Sequence, residues 1–271
     1  MKRTLLAAAI AGALALSNVA SAATVNGITI NPGSFLEIGT LWEGTYASNG
    51  TAPVLNVGDQ LVGVGVIDTI KDGGGNVVWA SGNNGAYLGF YFENYYAEAI
   101  KTTLGSTPIN ILFSGGAAHF YAMSSAFVPT GNYTNDVLAI KTGNTLWMDV
   151  LGGKSRDCVA ADGCANGVGT DVTLESFILS GDLGNIASGV GNGFMNVTGL
   201  GAADGVVDTN ALLGGNDMAL GSSFNSAAST AGYAASGSLD IRGLAVPEPG
   251  SLALLGLGLF GLGALRRRGN A

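Results

Sequence analysis

Two cysteines, Cys158 and Cys164, are the only ones in the 271-residue chain, and five residues separate them. Asp162-Gly163 between them is a turn signal. In an exported chain this spacing predicts a local disulfide. A structural zinc site needs about four ligands, and His119, the only histidine, is the only other soft ligand. A nucleophilic triad would also have to use His119. It sits in a strand-like run beside Phe120 and Tyr121, and no G-x-S-x-G surrounds any serine. It reads as a packed strand residue. Glu37, Glu43, Glu93, Glu98 and Glu175 could supply a carboxylate pair for glycoside chemistry, but their spacing marks no two as partners. Trp42, Trp79 and Trp147 would suit a sugar-stacking platform and would equally suit a β-core. Asp157, Asp162 and Asp171 lie near glycine-rich turns, and their oxygens suit calcium best. No calcium-loop pattern contains them, and Gly214-Gly215-Asn216-Asp217 resembles one fragment of a Gly/Asp calcium repeat without recurring. The expectation is no catalytic residue, no metal site and no cofactor.

The elements that must position these residues read as β-structure. Glycine is abundant, at 45 residues, and long amphipathic helix patterns are absent. Short apolar runs alternate with turn signals. Residues 25–30, 41–46, 61–70, 77–79 and 87–92 are strand-like, with turns at Asp72-Gly73-Gly74-Gly75-Asn76 and Asn83-Asn84-Gly85. Residues 109–113 and 119–123 flank Gly115-Gly116 and predict a hairpin. Residues 137–140, 146–151, 172–179 and 238–242 continue the pattern. Residues 181–237 are rich in Gly, Ala, Ser and Asn, with weak strand signals at 194–197, 206–207 and 218–224. They read as edge strands with long loops or as a pliable stretch. The fold class is all-β: the short strands and Gly/Asn turns predict an antiparallel β-sandwich or barrel, and the ectodomain reads as an antiparallel β-sandwich or jelly-roll-like. Its 223 residues, 23–245, hold six basic against eighteen acidic side chains, a net charge of −12. That balance disfavours nucleic acid and anionic lipid as partners.

The two ends are different. Residues 1–22 have a basic start at Lys2 and Arg3, an apolar run, and an A-x-A cleavage site at Ala20-Ser21-Ala22. This is a secretory signal helix, removed during Sec-dependent export. Residues 246–271 hold a stiff Pro247-Glu248-Pro249, an uncharged run over 252–265, and Arg266, Arg267 and Arg268. As a helix, residues 250–265 would span about 24 Å, a little short of a bilayer core of about 30 Å. Snorkelling arginines make up the difference and set that end on the cytoplasmic side.

This tail resembles the PEP-CTERM sorting signal of Gram-negative-type bacteria: Pro-Glu-Pro, a transmembrane helix, an arginine-rich end. The resemblance implies that an exosortase cuts near Pro247-Glu248-Pro249 and releases the protein to the cell surface or extracellular matrix, so that membrane attachment is transient. Residues 197–224 are similar to a stretch recurring in ectodomains on such tails, some of them flocculation-associated. The implied function is a non-enzymatic surface or matrix protein associated with exopolysaccharide, biofilm or floc. The alternative is a carbohydrate-binding module or weak glycan-active enzyme on the same tail.

Overall fold

Inward-pointing side chains alternate along every long strand, and they converge on one closed lumen. The computed structural model describes residues 22–103, 106–164, 169–226, 229 and 231–246. The signal helix expected over residues 1–22 and the transmembrane helix expected over residues 252–265 fall outside these residues, apart from Ala22. Among the described residues no helix is long and apolar enough to cross a membrane. The strands are β1 (Ala23–Val25), β2 (Ile28–Ile30), β3 (Gly33–Thr45), β4 (Gln60–Asp72), β5 (Val77–Ala80), β6 (Tyr87–Thr103), β7 (Ser106–Met123), β8 (Thr145–Gly153), β9 (Arg156–Asp157), β10 (Asp171–Val172), β11 (Leu174–Asp182), β12 (Asn185–Val197), β13 (Met218–Asn225) and β14 (Ala235–Ala245). Helix α1 (Tyr133–Lys141) and the single turn α2 (Asp204–Val207) are the α-helical elements described.

The expected sandwich is corrected to an eight-stranded barrel. Strands β12, β13, β14, β3, β4, β6 and β7 pair side by side, each antiparallel to the next. Strands β7 and β12 then share the eighth stave, which closes the ring. Strand β8 fills half of that stave and β11 the other half, each paired to both neighbours. Closure removes the free edges that a sandwich would leave. Glycine makes the curvature affordable. Gly63 lies directly across from Phe92, Gly65 from Phe90, Gly189 from Phe224 and Gly243 from Phe35. A Cβ at these glycines would come within 2.6 Å of Phe92 Cε1, 2.5 Å of Phe90 Cε1, 2.6 Å of Phe224 Cζ and 2.7 Å of Phe35 Cζ. The phenylalanine rings therefore occupy the space the glycines leave, a known device for bending sheets.

Three sequence expectations are corrected. Gly115-Gly116 is not a hairpin turn: β7 runs straight through it. Both glycines have positive φ, and Gly116 makes room for the Tyr95 ring, so the pair bends the strand without reversing it. Residues 137–140 are helical and not a strand, because Asn132 caps α1 by accepting from the Asn135 amide at 3.0 Å. Tyr133, Asp136 and Ile140 form the buried face of α1, which covers Val62, Val64 and Tyr91 on the outer wall. Residues 206–207 belong to the turn α2. Residues 185–197 and 218–225 are full staves, so the glycine-rich stretch builds barrel wall and not edge strands.

One pole is plugged. The β1–β2 hairpin sits over it with Ile28 and Ile30 buried among Ile70, Trp79, Trp147 and Met148. The Trp147 indole donates to the Val25 carbonyl at 3.2 Å.

Candidate functional site at the tail-bearing pole

Strand β14 is the last described element before the tail, and it leaves the barrel at the plugged pole. Its final pair is Ala245 with Gly33. The Val246 amide then donates to the Val206 carbonyl of α2 at 2.8 Å. Pro247 follows at once in sequence. The first described residues are at the same pole: Ala22 is exposed, Ala23 pairs with Ile30, and Ala23 and Ala245 share one buried cluster. The residues expected to be read for sorting, Pro247, Glu248, Pro249, Arg266, Arg267 and Arg268, lie outside the described residues, as does Ala20.

Buried acids lace the loops of this pole. The Asp217 carboxylate accepts from the Val197, Thr209 and Asn210 amides. Asp204 accepts from the Gly201 and Asp149 amides; burial still raises its pKa. So Gly214-Gly215-Asn216-Asp217 works as a latch, with the Asn216 amide donating to the Lys154 and Leu213 carbonyls.

Cys158 and Cys164 are disulfide-bonded. They lie in residues 154–173, an excursion that leaves the eighth stave after Gly153 and rejoins it at Leu174, where Phe194 and Gly193 sit opposite. Cys158 is buried beside Ala99, Leu112 and Val172. The acids singled out for calcium are held by cations. Asp162 binds Lys101 and Arg156, each at 2.5 Å, and Asp157 and Asp171 both bind Lys154, at 2.6 and 2.8 Å. Arg156 also reaches Glu175 at 2.6 Å. Lys101 first, then Arg156, holds the Asp162 carboxyl well below the usual carboxylate range. Reduction, or Cys158→Ser with Cys164→Ser, should lower stability by about 2 kcal/mol on the chain-entropy account and should loosen the excursion while the barrel stays folded. A urea melt and thiol labelling check this: native protein should show no reactive thiol.

His119 lies on the outer wall. Its Nδ1 bonds the Asp149 carboxylate, and its Nε2 is 3.6 Å from Glu93 Oε1. Thr198 donates to the other Asp149 oxygen at 2.6 Å, and the Tyr91 ring lies 4.6 Å from the imidazole. The ring is thus set between two acids and ties β6, β7 and β8 together. Trp79 and Trp147 are buried in the plug, and Trp42 is half-buried on the outer wall near Tyr133 and Tyr233. The three tryptophans form no shared platform. Glu98 accepts from the Ser114 hydroxyl.

Sequence reasoning missed two acids inside the barrel. Glu37 and Glu43 are on the lumen face of β3, in phase with Phe35 and Leu41. Glu37 is fully buried, and neither carboxyl oxygen has a hydrogen-bond partner. Loss of hydration pushes its carboxyl up to about 8 and that of Glu43 to about 7. The only signal was register: both fall on the apolar phase of an alternating strand.

Residues 245–268 match the PEP-CTERM protein-sorting motif. No curated protein and no solved structure matches the chain.

Proposed function

We propose that this PEP-CTERM protein, sorted by an exosortase from a membrane-anchored precursor to the cell surface or extracellular space, serves there as a non-enzymatic component of exopolysaccharide-rich matrix. The observation that carries the reading is the junction of fold and tail. The sorting motif begins where β14 ends, at one pole, so cutting releases a closed barrel with its other pole and the disulfide excursion displayed. A net charge of −12 over residues 23–245 favours neutral or cationic polymers as neighbours.

A second reading is glycan binding at a specific groove. A cavity of ≈ 140 Å³ on the outer wall is lined by Tyr87 and Phe127, with Asp68 and Ser81 beside them. Aromatic faces with a carboxylate and a hydroxyl suit a sugar ring. Saturable binding of purified exopolysaccharide that disappears in Tyr87→Ala favours this reading; retention by bulk matrix that Tyr87→Ala leaves unchanged favours the first.

Intact mass of the extracellular form tests the sorting step. It should begin near Ala23 and lack the run after Pro249. Glu248→Gln should leave uncut precursor in the membrane. The melting temperature of the barrel should not move, because Glu248 lies beyond the last strand pair. Full-length tail peptides in mature surface protein, or normal release of the variant, would overturn the reading.

A further inference from the structure

The barrel lumen is not completely filled, and what it leaves open is chemically one-sided. A cavity of ≈ 50 Å³ lies inside, lined by side chains from all the staves, among them Leu41, Phe90, Phe120 and Leu239. A second, of ≈ 30 Å³, continues toward the pole opposite the tail, past Val54 and Ala235. Glu43, Leu61 and Ser176 line both. Glu43 is the only ionisable carboxyl or amine on either wall. Its direct cross-strand neighbours are Gly63 and Ala235, and the Phe92 ring lies over Gly63.

Glu37 supplies an independent observation. It stands directly across from Ile241, which lines the larger cavity, and both its oxygens are buried without a partner. An unpartnered buried carboxyl is costly where a leucine would pack. Orphaned groups of this kind in an otherwise satisfied interior call for a reason. Glu43 lines the cavities, and Glu37 lies further along the same strand, behind the wall that Ile241 forms.

We propose that the lumen binds a small primary amine with an apolar body. Its ammonium head donates to the Glu43 carboxylate, and its body lies among Leu41, Phe90 and Phe120. Among the described residues an anion finds no cation on these walls and meets the Glu43 carboxylate. A divalent metal would want six or more oxygen ligands, and the side chains of the described walls offer Glu43, the Ser176 and Ser222 hydroxyls and the Tyr95 phenol. The larger cavity sets the size: at about 10–15 Å³ for each water-sized group it takes about three to five, which makes n-butylamine, a four-carbon chain with its amine, the upper limit. The site is independent of the sorting tail and of matrix association.

Calorimetric titration of the released, mature protein at pH 8 with n-butylamine, n-butanol and butyrate tests this. Butylamine should bind saturably at one site, at least tenfold tighter than butanol, and butyrate should not bind. The binding should survive 0.5 M salt, which screens attraction to surface acids. Glu43→Gln should remove the preference for amine over alcohol while the protein stays folded by its thermal melt. No saturable butylamine binding, binding lost in salt, or a folded Glu43→Gln variant that binds butylamine as the wild type does would overturn the proposal.

Discussion

Glu37→Gln is expected to raise the melting temperature of the barrel by roughly 10 °C at pH 9 and to change it little at pH 4. The reason is proton linkage. In the fold, burial pushes the Glu37 carboxyl up to about 8 from its ordinary 4.5. Between those values the folded chain holds a proton that the unfolded chain releases. Stability is then fully present below pH 4.5, falls as pH rises through the window, and levels off above about pH 8. Glutamine is a neutral isostere at every pH, so it removes the decline. Glu43 adds a smaller decline ending near pH 7, because its side chain is partly exposed. Asp162 acts in the opposite direction and in a separate window: its carboxyl is lowered by Lys101 and Arg156, so its contribution is lost only under strongly acid conditions. Melting temperatures of wild type and variant from pH 4 to 9 check this. A wild-type curve that is flat from pH 5 to 9 would show that Glu37 has a partner or is hydrated.

What the sequence disclosed, and what it hid, follows from how local each signal is. Asp72-Gly73-Gly74-Gly75-Asn76 was legible as a turn because its chemistry is self-contained: the Asp72 carboxylate accepts from the Gly74 and Asn76 amides, both at 2.9 Å. The disulfide was legible for the same reason. Barrel closure was not, because it depends on β8 and β11 joining end to end across a 20-residue excursion, residues 154–173. No window of sequence contains that fact. Gly115-Gly116 misled because a glycine pair marks a turn or a bend equally well, and only the Tyr95 ring across the sheet decides between them. Residues 137–140 misled because a four-residue apolar run fits a strand or a helix; the cap at Asn132 was the arbiter. The sorting tail was the most legible part, since Pro247-Glu248-Pro249 and Arg266–Arg268 carry their meaning in order and spacing. The lumen acids were nearly invisible. Glu37 and Glu43 look like solvent-facing charges until the phase of β3 is known.

Gly65→Val should damage the barrel wall severely. Its Cβ would lie 2.5 Å from Phe90 Cε1 and 2.5 Å from the Thr40 carbonyl oxygen. The ring could turn away only by pushing on Phe120 and Phe92, whose centroids lie 5.2 and 6.5 Å from it. The Thr40 carbonyl cannot yield without opening the β3–β4 ladder on which the closed ring depends. Overpacking in a full interior costs about 1–3 kcal/mol, and a backbone clash adds to that, so a loss of 3 kcal/mol or more is expected. Gly205→Ala is the control. Nothing lies within 4 Å of a Cβ built there, and its φ is not positive, so its urea midpoint should stay within about 0.5 kcal/mol of wild type. Gly65→Ala combined with Phe90→Ala should recover part of the loss, with a coupling of about 1–2 kcal/mol, because residues in contact do not add. The recovery should stop short of full, since removing the ring leaves the Thr40 carbonyl in place. A Gly65→Val protein with a wild-type midpoint would mean that the glycines do not make room for the rings, and that the barrel owes its curvature to something else.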